Sequence, residues 1–166
     1  MNLLTANLVL STFIFWLAAK LYLLPKLDSL EISAVLLPIL LLHSMRHLGL
    51  MFLAPGGHYP GIPGQFAYPA AIGDLISAGL ALAAIPAVVR RTALARPLVL
   101  AFNVFGTLDL LNAIILATIY DASGFMGPAY WIPAFWVPSL LVTHYIVFLL
   151  LRRDWTREAG GSISRC

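Results

Sequence analysis

The sequence predicts an all-α polytopic membrane protein with five transmembrane helices. Of its 166 residues, 61% are hydrophobic and only 10% are charged, whereas soluble domains average roughly 45–50% apolar and 25% charged residues. With a mean hydropathy of +0.92, the chain has more apolar surface than so few charges could cover in water. Five apolar stretches, each near the ~20 residues that cross a bilayer core, divide the chain.

The first stretch, at about residues 3–24, begins close to the N-terminus and ends near Lys26. It lacks the basic leader and small-residue cleavage site of a signal peptide, so we expect a retained helix. The second stretch, at about 31–54, follows the polar break KLDSLE. It ends at PGGHYPGIPGQFAY, whose prolines and glycines predict a turn-rich mouth or lid.

The third and fourth stretches are predicted at about 67–89 and 97–120, separated by RRTALAR. The fifth, at about 131–151, follows DASGFMGPAYW. No repeat or second domain is visible, so we expect a single bundle over residues 1–152 and a polar cytoplasmic tail over 153–166.

The basic residues predict the orientation of the bundle. Cytoplasmic loops of membrane proteins are enriched in lysine and arginine, which places the N-terminus outside and the C-terminus in the cytoplasm. We therefore expect an integral protein of the bacterial cytoplasmic (inner) membrane, and no nucleic-acid partner, because the basic residues form short clusters between apolar runs. Nine of the ten basic residues would lie on the inner side: Lys20, Lys26, Arg90, Arg91, Arg96, Arg152, Arg153, Arg157 and Arg165.

Polar residues inside the predicted spans are the candidate functional residues. An ionisable side chain at the bilayer centre costs about 2.5–3.5 kcal/mol on insertion scales, so such residues normally face the bundle interior. The candidates are His43, Arg46 and His47 in span two, Asp74 in span three, Asp109 and Asn112 in span four, and His144 in span five.

Helical spacing groups several of these residues. At about 100° per residue, His43, Arg46 and His47 would project from one face of span two, and Asp109 and Asn112 would share a face of span four. A rise of about 1.5 Å per residue places His43 and Asp109 each about 18 Å from the cytoplasmic end of its span.

Arg46 predicts a buried ion pair, because a guanidinium keeps its proton and needs a carboxylate nearby in a dry interior. Asp74 and Asp109 are the carboxylates available within the spans. If both approach Arg46, the surplus carboxylate would take a proton, pair with a charged histidine or hold a ligand cation.

We interpret this pattern as a buried polar site for an amphipathic or apolar membrane-soluble molecule, such as a lipid or isoprenoid. If a reaction occurs, histidine and carboxylate would act as acid and base in an isomerase or hydrolase. The expected ligand-binding residues are Arg46, Asp74, Asn112 and His144, and the expected catalytic residues are His43, His47 and Asp109.

Three other interpretations remain open. The ion pair could only lock the helices together. His43, His47 and His144, with Asp109 as a fourth ligand or base, could hold zinc, iron or copper, and His144 with one histidine of span two could ligate haem. Mid-depth charges also occur in proton or ion pathways.

In length and five-span plan the chain resembles the translocator protein family. Its expected small intramembrane pocket with acid–base residues resembles that of the sterol isomerase group. Both likenesses concern outline only, so they imply no role for any residue.

Overall fold

The computed structural model describes residues 3–153 and 155, and the regular secondary structure of this part is entirely helical. Five helices are long and apolar enough to cross a membrane, which confirms the predicted number. They run over Leu3–Lys26, Ile32–Phe52, Gly64–Val89, Ala95–Ile119 and Gly127–Leu151.

Three of these five helices, the first, the second and the fifth, change their winding along their length. Helix α1 (Leu3–Ala18) continues as a π-helix over Ala19–Leu23 and a 3-10 turn over Leu24–Lys26. Helix α2 (Ile32–Ser44) continues as a 3-10 helix over Met45–Phe52, which we call the 3-10 segment.

Helices α3 (Gly64–Val89) and α4 (Ala95–Ile119) are α-helical throughout. Helix α5 (Val137–Leu151) is preceded by two 3-10 turns, Ala122–Phe125 and Gly127–Tyr130, and by a π-helix over Ile132–Trp136. Helix α3 begins three residues before its predicted start, at Gly64, directly after Pro63, whose backbone is extended.

Helix α3 is central to the bundle, since it packs against α2, the 3-10 segment and α4. Helix α1 is peripheral and packs mainly against α5 and the π-helix before it. Phe13 is 55% exposed and Ile14 62% exposed, so α1 presents an apolar face outward, as expected for a helix that contacts lipid.

The 3-10 segment buries every third residue, namely Arg46, Gly49 and Phe52. A 3-10 helix has three residues per turn, so these positions lie on one line facing α3 and α4. Eight residues of 3-10 helix is long for this geometry, which usually occurs in runs of three or four and often marks a functional or strained position.

At one end of the bundle, polar contacts join the connection between α1 and α2 to the connection between α3 and α4 and to the residues that follow α5. The Arg153 Nη1 atom donates to the carbonyl oxygens of Leu27 and Leu30 at 2.8 and 2.9 Å, and Arg91 pairs with Glu31 at 3.3 Å. The basic residues that follow α1, α3 and α5 therefore gather at this end.

At the opposite end, the loop after the 3-10 segment packs on the connection between α4 and α5. The Tyr59 amide donates to the Phe125 carbonyl oxygen at 2.8 Å, and the Ala129 amide donates to that of Gly57 at 2.9 Å. This loop closes the end of the bundle, where the sequence predicted a mouth or lid.

Most of the predicted polar tail lies outside the described residues, which include Arg153 and Trp155 from that region. Arg157 and Arg165 also lie outside them, so the predicted placement of these two arginines carries no structural statement.

Candidate functional site

Arg46 lies at the centre of the bundle and links three helices. Its side chain is fully buried, its Nε atom donates to Asp74 Oδ1 of α3 at 2.7 Å, and its Nη2 atom donates to Asp109 Oδ2 of α4 at 2.6 Å. Charge-assisted bonds of this length are among the stronger polar interactions in proteins. We call these three residues the ionic centre.

The remaining Arg46 nitrogen faces α4 and α5. Its Nη1 atom donates to the Gly106 carbonyl oxygen at 3.2 Å and lies 3.4 Å from His144 Nε2. All three guanidinium nitrogens therefore have acceptors within the protein.

Hydrogen bonding defines the tautomer of His144. Arginine can only donate, so His144 Nε2 is the acceptor, and His144 Nδ1 carries the proton that it donates to Asn103 Oδ1 at 2.7 Å. Asn103 Nδ2 in turn donates to the His144 carbonyl oxygen at 3.3 Å. This arrangement requires a neutral imidazole.

His43 is buried beside the ionic centre. The Thr143 hydroxyl lies 3.0 Å from the carbonyl oxygens of Ser139 and Leu140, to which it can donate, so its oxygen accepts from His43 Nε2 at 2.9 Å. The His43 ring packs against the His144 ring with centroids 4.3 Å apart. Within the described part of the chain, His43 Nδ1 has no hydrogen-bond partner.

His47 does not join the other residues, which corrects the prediction that it shares a face with His43 and Arg46. It is exposed, and its Nδ1 atom contacts the Ser44 carbonyl oxygen at 3.1 Å. The 3-10 segment explains the difference, because a step of four residues turns the chain by about 480° in a 3-10 helix against about 400° in an α-helix. The two histidines therefore diverge.

Asn112 also lies away from the site and is exposed. Asp109 is at the edge of the buried face of α4, which runs along Asn103, Gly106 and Leu110. Three further residues rotate the helix by about 300°, which places Asn112 about 60° beyond that edge. Besides Asp109, the polar residue of α4 that joins the site is Asn103, which was not among the expected site residues.

The histidines do not assemble the metal or haem site considered from the sequence. Among the described residues, no group of three or more His, Cys, Asp or Glu side chains could hold a metal ion. His47 is exposed, both His144 nitrogens are engaged by Asn103 and Arg46, and His43 keeps only Nδ1 free. The nitrogen and oxygen donors available here therefore fit neither a metal ion nor a haem.

Two glycines make room for the carboxylates. A methyl group at Gly49 would collide with the carboxylate of Asp74, and one at Gly73 would collide with that of Asp109. Each carboxylate therefore has one oxygen on Arg46 and lies against the bare backbone of a neighbouring helix. The absence of side chains at these two glycines allows the short distances within the ionic centre.

An apolar cavity of about 250 Å³ lies between the ionic centre and the end closed by the loop. Among the described residues that line it, Asp74 is the only charged one, and the rest of the lining is mainly apolar. Its side walls come from α1, α3, α4 and the start of α5, and Met126 and Phe52, both buried, lie toward the closed end.

The cavity opens sideways between α1 and α4. Of the lining residues in the described part of the chain, only Thr5 of α1 and Thr118 of α4 are exposed, so they mark its mouth. Helices α1 and α4 barely contact each other, which leaves this gap in the bundle wall. Thr5 and Thr118 each lie within two residues of the end of their span, so in a membrane the mouth would lie near the level of the lipid head groups.

A family model described as "Domain of unknown function (DUF8737)" matches residues 3–152. No curated protein and no solved structure matches the chain.

Proposed function

We propose that this chain, which belongs to the family described as "Domain of unknown function (DUF8737)", binds a membrane-soluble amphipathic molecule. The apolar part of the ligand occupies the cavity, and its polar head reaches Asp74 at the ionic centre. The observation that carries this proposal is an apolar cavity with one carboxylate in its wall and a mouth on the lateral surface. Small-molecule sites commonly combine an apolar lining with a few polar groups that orient the ligand.

Binding is favoured over catalysis by the placement of the acid–base residues. None of the histidines lines the cavity, and His144 is fixed as an acceptor for Arg46. A general base must lie within hydrogen-bond reach of the proton that it removes. In this proposal His43 and Asp109 stabilise the site without contacting the ligand, and His47 has no part in it.

The orientation proposed for this function places the cavity in the outer half of the bacterial cytoplasmic membrane, with the N-terminus outside and the C-terminus inside. The gathering of basic residues at the opposite end supports it, through the enrichment of lysine and arginine in cytoplasmic loops. A ligand would then enter from the outer leaflet.

A cavity-filling variant tests the proposal. Ala113 lines the cavity, whereas Ala101 of the same helix is exposed on the outside of the bundle. Ala113→Phe, Ala101→Phe and the unaltered protein would be extracted with surrounding lipid into polymer-bounded discs, and the retained apolar compounds quantified by mass spectrometry.

We expect at least one compound to be retained in near-stoichiometric amount by the unaltered protein and by Ala101→Phe, and to be lost from Ala113→Phe. Identical sets of compounds in all three samples, with every variant folded, would refute the proposal.

A further inference from the structure

The charge balance of the ionic centre indicates what kind of head group the cavity accepts. Arg46 contributes one positive charge and Asp74 and Asp109 contribute one negative charge each, so the three ionised groups sum to −1. His144 is neutral in its hydrogen-bonding arrangement, and no hydrogen bond joins His43 to either carboxylate in the described part of the chain.

The hydrogen-bonding capacity of the centre points the same way. Every Arg46 nitrogen already donates within the protein, to Asp74, Asp109 and Gly106. Arg46 therefore has little left to offer an anionic head group. The charged residue that lines the cavity is Asp74, and an ionised carboxylate can only accept hydrogen bonds.

The surroundings strengthen this preference. The Asp74 side chain is 12% exposed, and apolar residues line the cavity toward the closed end. In such a low-dielectric setting an unbalanced negative charge is costly, and a cation that donates hydrogen bonds relieves the cost. Quaternary ammonium would supply charge without a donor, and an alcohol would supply a donor without charge.

We propose that the cavity selects a single-chain amphiphile with a primary ammonium head, which donates to the carboxylate of Asp74 while its chain lies between α1 and α4. This inference rests on the proposed function and specifies its ligand class. The volume of about 250 Å³ lies just below the roughly 300–1,000 Å³ of typical small-molecule pockets, which suits one alkyl chain better than a bulky ring system. The ammonium supplies the cation that balances the surplus carboxylate.

The test compares four twelve-carbon probes that differ only in their heads: n-dodecylamine, dodecyltrimethylammonium, 1-dodecanol and laurate. Unaltered protein in phosphatidylcholine nanodiscs would be titrated with each probe at neutral pH, and binding read from the rise in the thermal unfolding temperature, which follows ligand affinity. Ala113→Phe, with the cavity filled, measures the contribution of probe dissolved in the bilayer and is subtracted.

We expect dodecylamine to bind at least about tenfold more tightly than dodecanol or dodecyltrimethylammonium, the effect of one charge-assisted hydrogen bond, with laurate weakest. Asp74→Asn should reduce the affinity for dodecylamine to that for dodecanol. Because the comparison of heads uses the unaltered protein, it is decisive even if this variant does not fold.

The outcomes separate the two proposals. If all four probes bind equally and Ala113→Phe abolishes their binding, the cavity is a ligand site and the ammonium preference is wrong. Tighter binding of dodecanol or laurate than of dodecylamine also overturns the inference alone. If Ala113→Phe changes the response to none of the probes, both proposals fail.

Discussion

At the scale of single residues, Asn103 determines what His144 can do. By accepting from Nδ1, Asn103 leaves Nε2 as the acceptor that faces Arg46. Asn103 and His144 are 0% and 1% exposed, so neither has water as an alternative partner. Second partners of this kind commonly set the orientation and tautomer of a functional histidine.

We expect Asn103→Leu to destabilise the protein by about 1–3 kcal/mol, because it leaves the buried His144 Nδ1–H without an acceptor. Asn112→Leu, on the exposed side of the same helix, is the matched control and should change stability by no more than about 0.5 kcal/mol. Reversible unfolding in mixed detergent micelles measures both. Equal losses in the two variants would contradict the assigned hydrogen bond.

Gly73 offers a second test at this scale. Gly73→Ala should destabilise the folded state by about 1–3 kcal/mol, since the added methyl group collides with the carboxylate of Asp109 and must push it away from Arg46. Gly79→Ala lies on the same helix with open space around it, and should be neutral or slightly stabilising. Thermal unfolding of both variants is the measurement, and a neutral Gly73→Ala would show that the centre is loosely packed.

The sequence indicated which residue types would occupy the interior, but helical geometry alone could not decide which would meet. Arg46, Asp74 and Asp109 were expected together because each charge needs an opposite one in a dry interior. The choice between Asn103 and Asn112 required knowing where the buried face of α4 is centred. That face depends on the positions of α3 and α5, which the spacing within α4 does not contain.

At the scale of elements, the 3-10 segment determines the composition of the site. The apolar pattern of LLHSMRHLGLMF fits an α-helix as well as a 3-10 helix, so the sequence did not reveal the change of winding at Met45. The change keeps Arg46 and Gly49 in line and turns His47 outward. The ambiguity between α-helix and 3-10 helix has little effect on where a span is predicted to end, because the end of the hydrophobic run indicates that position.

The gap between α1 and α4 yields a prediction about ligand exchange. In a Cys166→Ser background, we would introduce Thr5→Cys and Thr118→Cys at the mouth and join them with a short bismaleimide. Cross-linked protein should exchange dodecylamine at least about tenfold more slowly, because the lateral route is closed. Either cysteine alone, treated with the same reagent, is the control. Unchanged exchange kinetics after complete cross-linking would place the route elsewhere.

At the scale of the whole molecule, the distribution of basic residues predicts orientation. In the same Cys166→Ser background, we expect Gly124→Cys, at the end closed by the loop, to react with a membrane-impermeant maleimide added to intact cells. Ala93→Cys, at the end rich in arginine, should react only after the membrane is permeabilised. Both positions are exposed, so accessibility within the protein does not limit labelling. The reverse labelling pattern would invert the proposed topology and place the cavity in the inner half.

The number of spans could be read from the sequence because length and hydropathy alone fix it. The lateral mouth could not be predicted from the sequence, since it exists because α1 makes few contacts with α4. Helix α1 packs on α5 rather than on α4, and nothing in its own sequence distinguishes those partners.

The mouth marked by Thr5 and Thr118 also determines the units in which occupancy must be expressed. A guest that arrives through this opening comes from the surrounding lipid phase, where an amphiphile is concentrated far above its level in buffer. Half-saturation is then a mole fraction of the bilayer, and diluting the suspension at a constant guest-to-lipid ratio leaves occupancy unchanged.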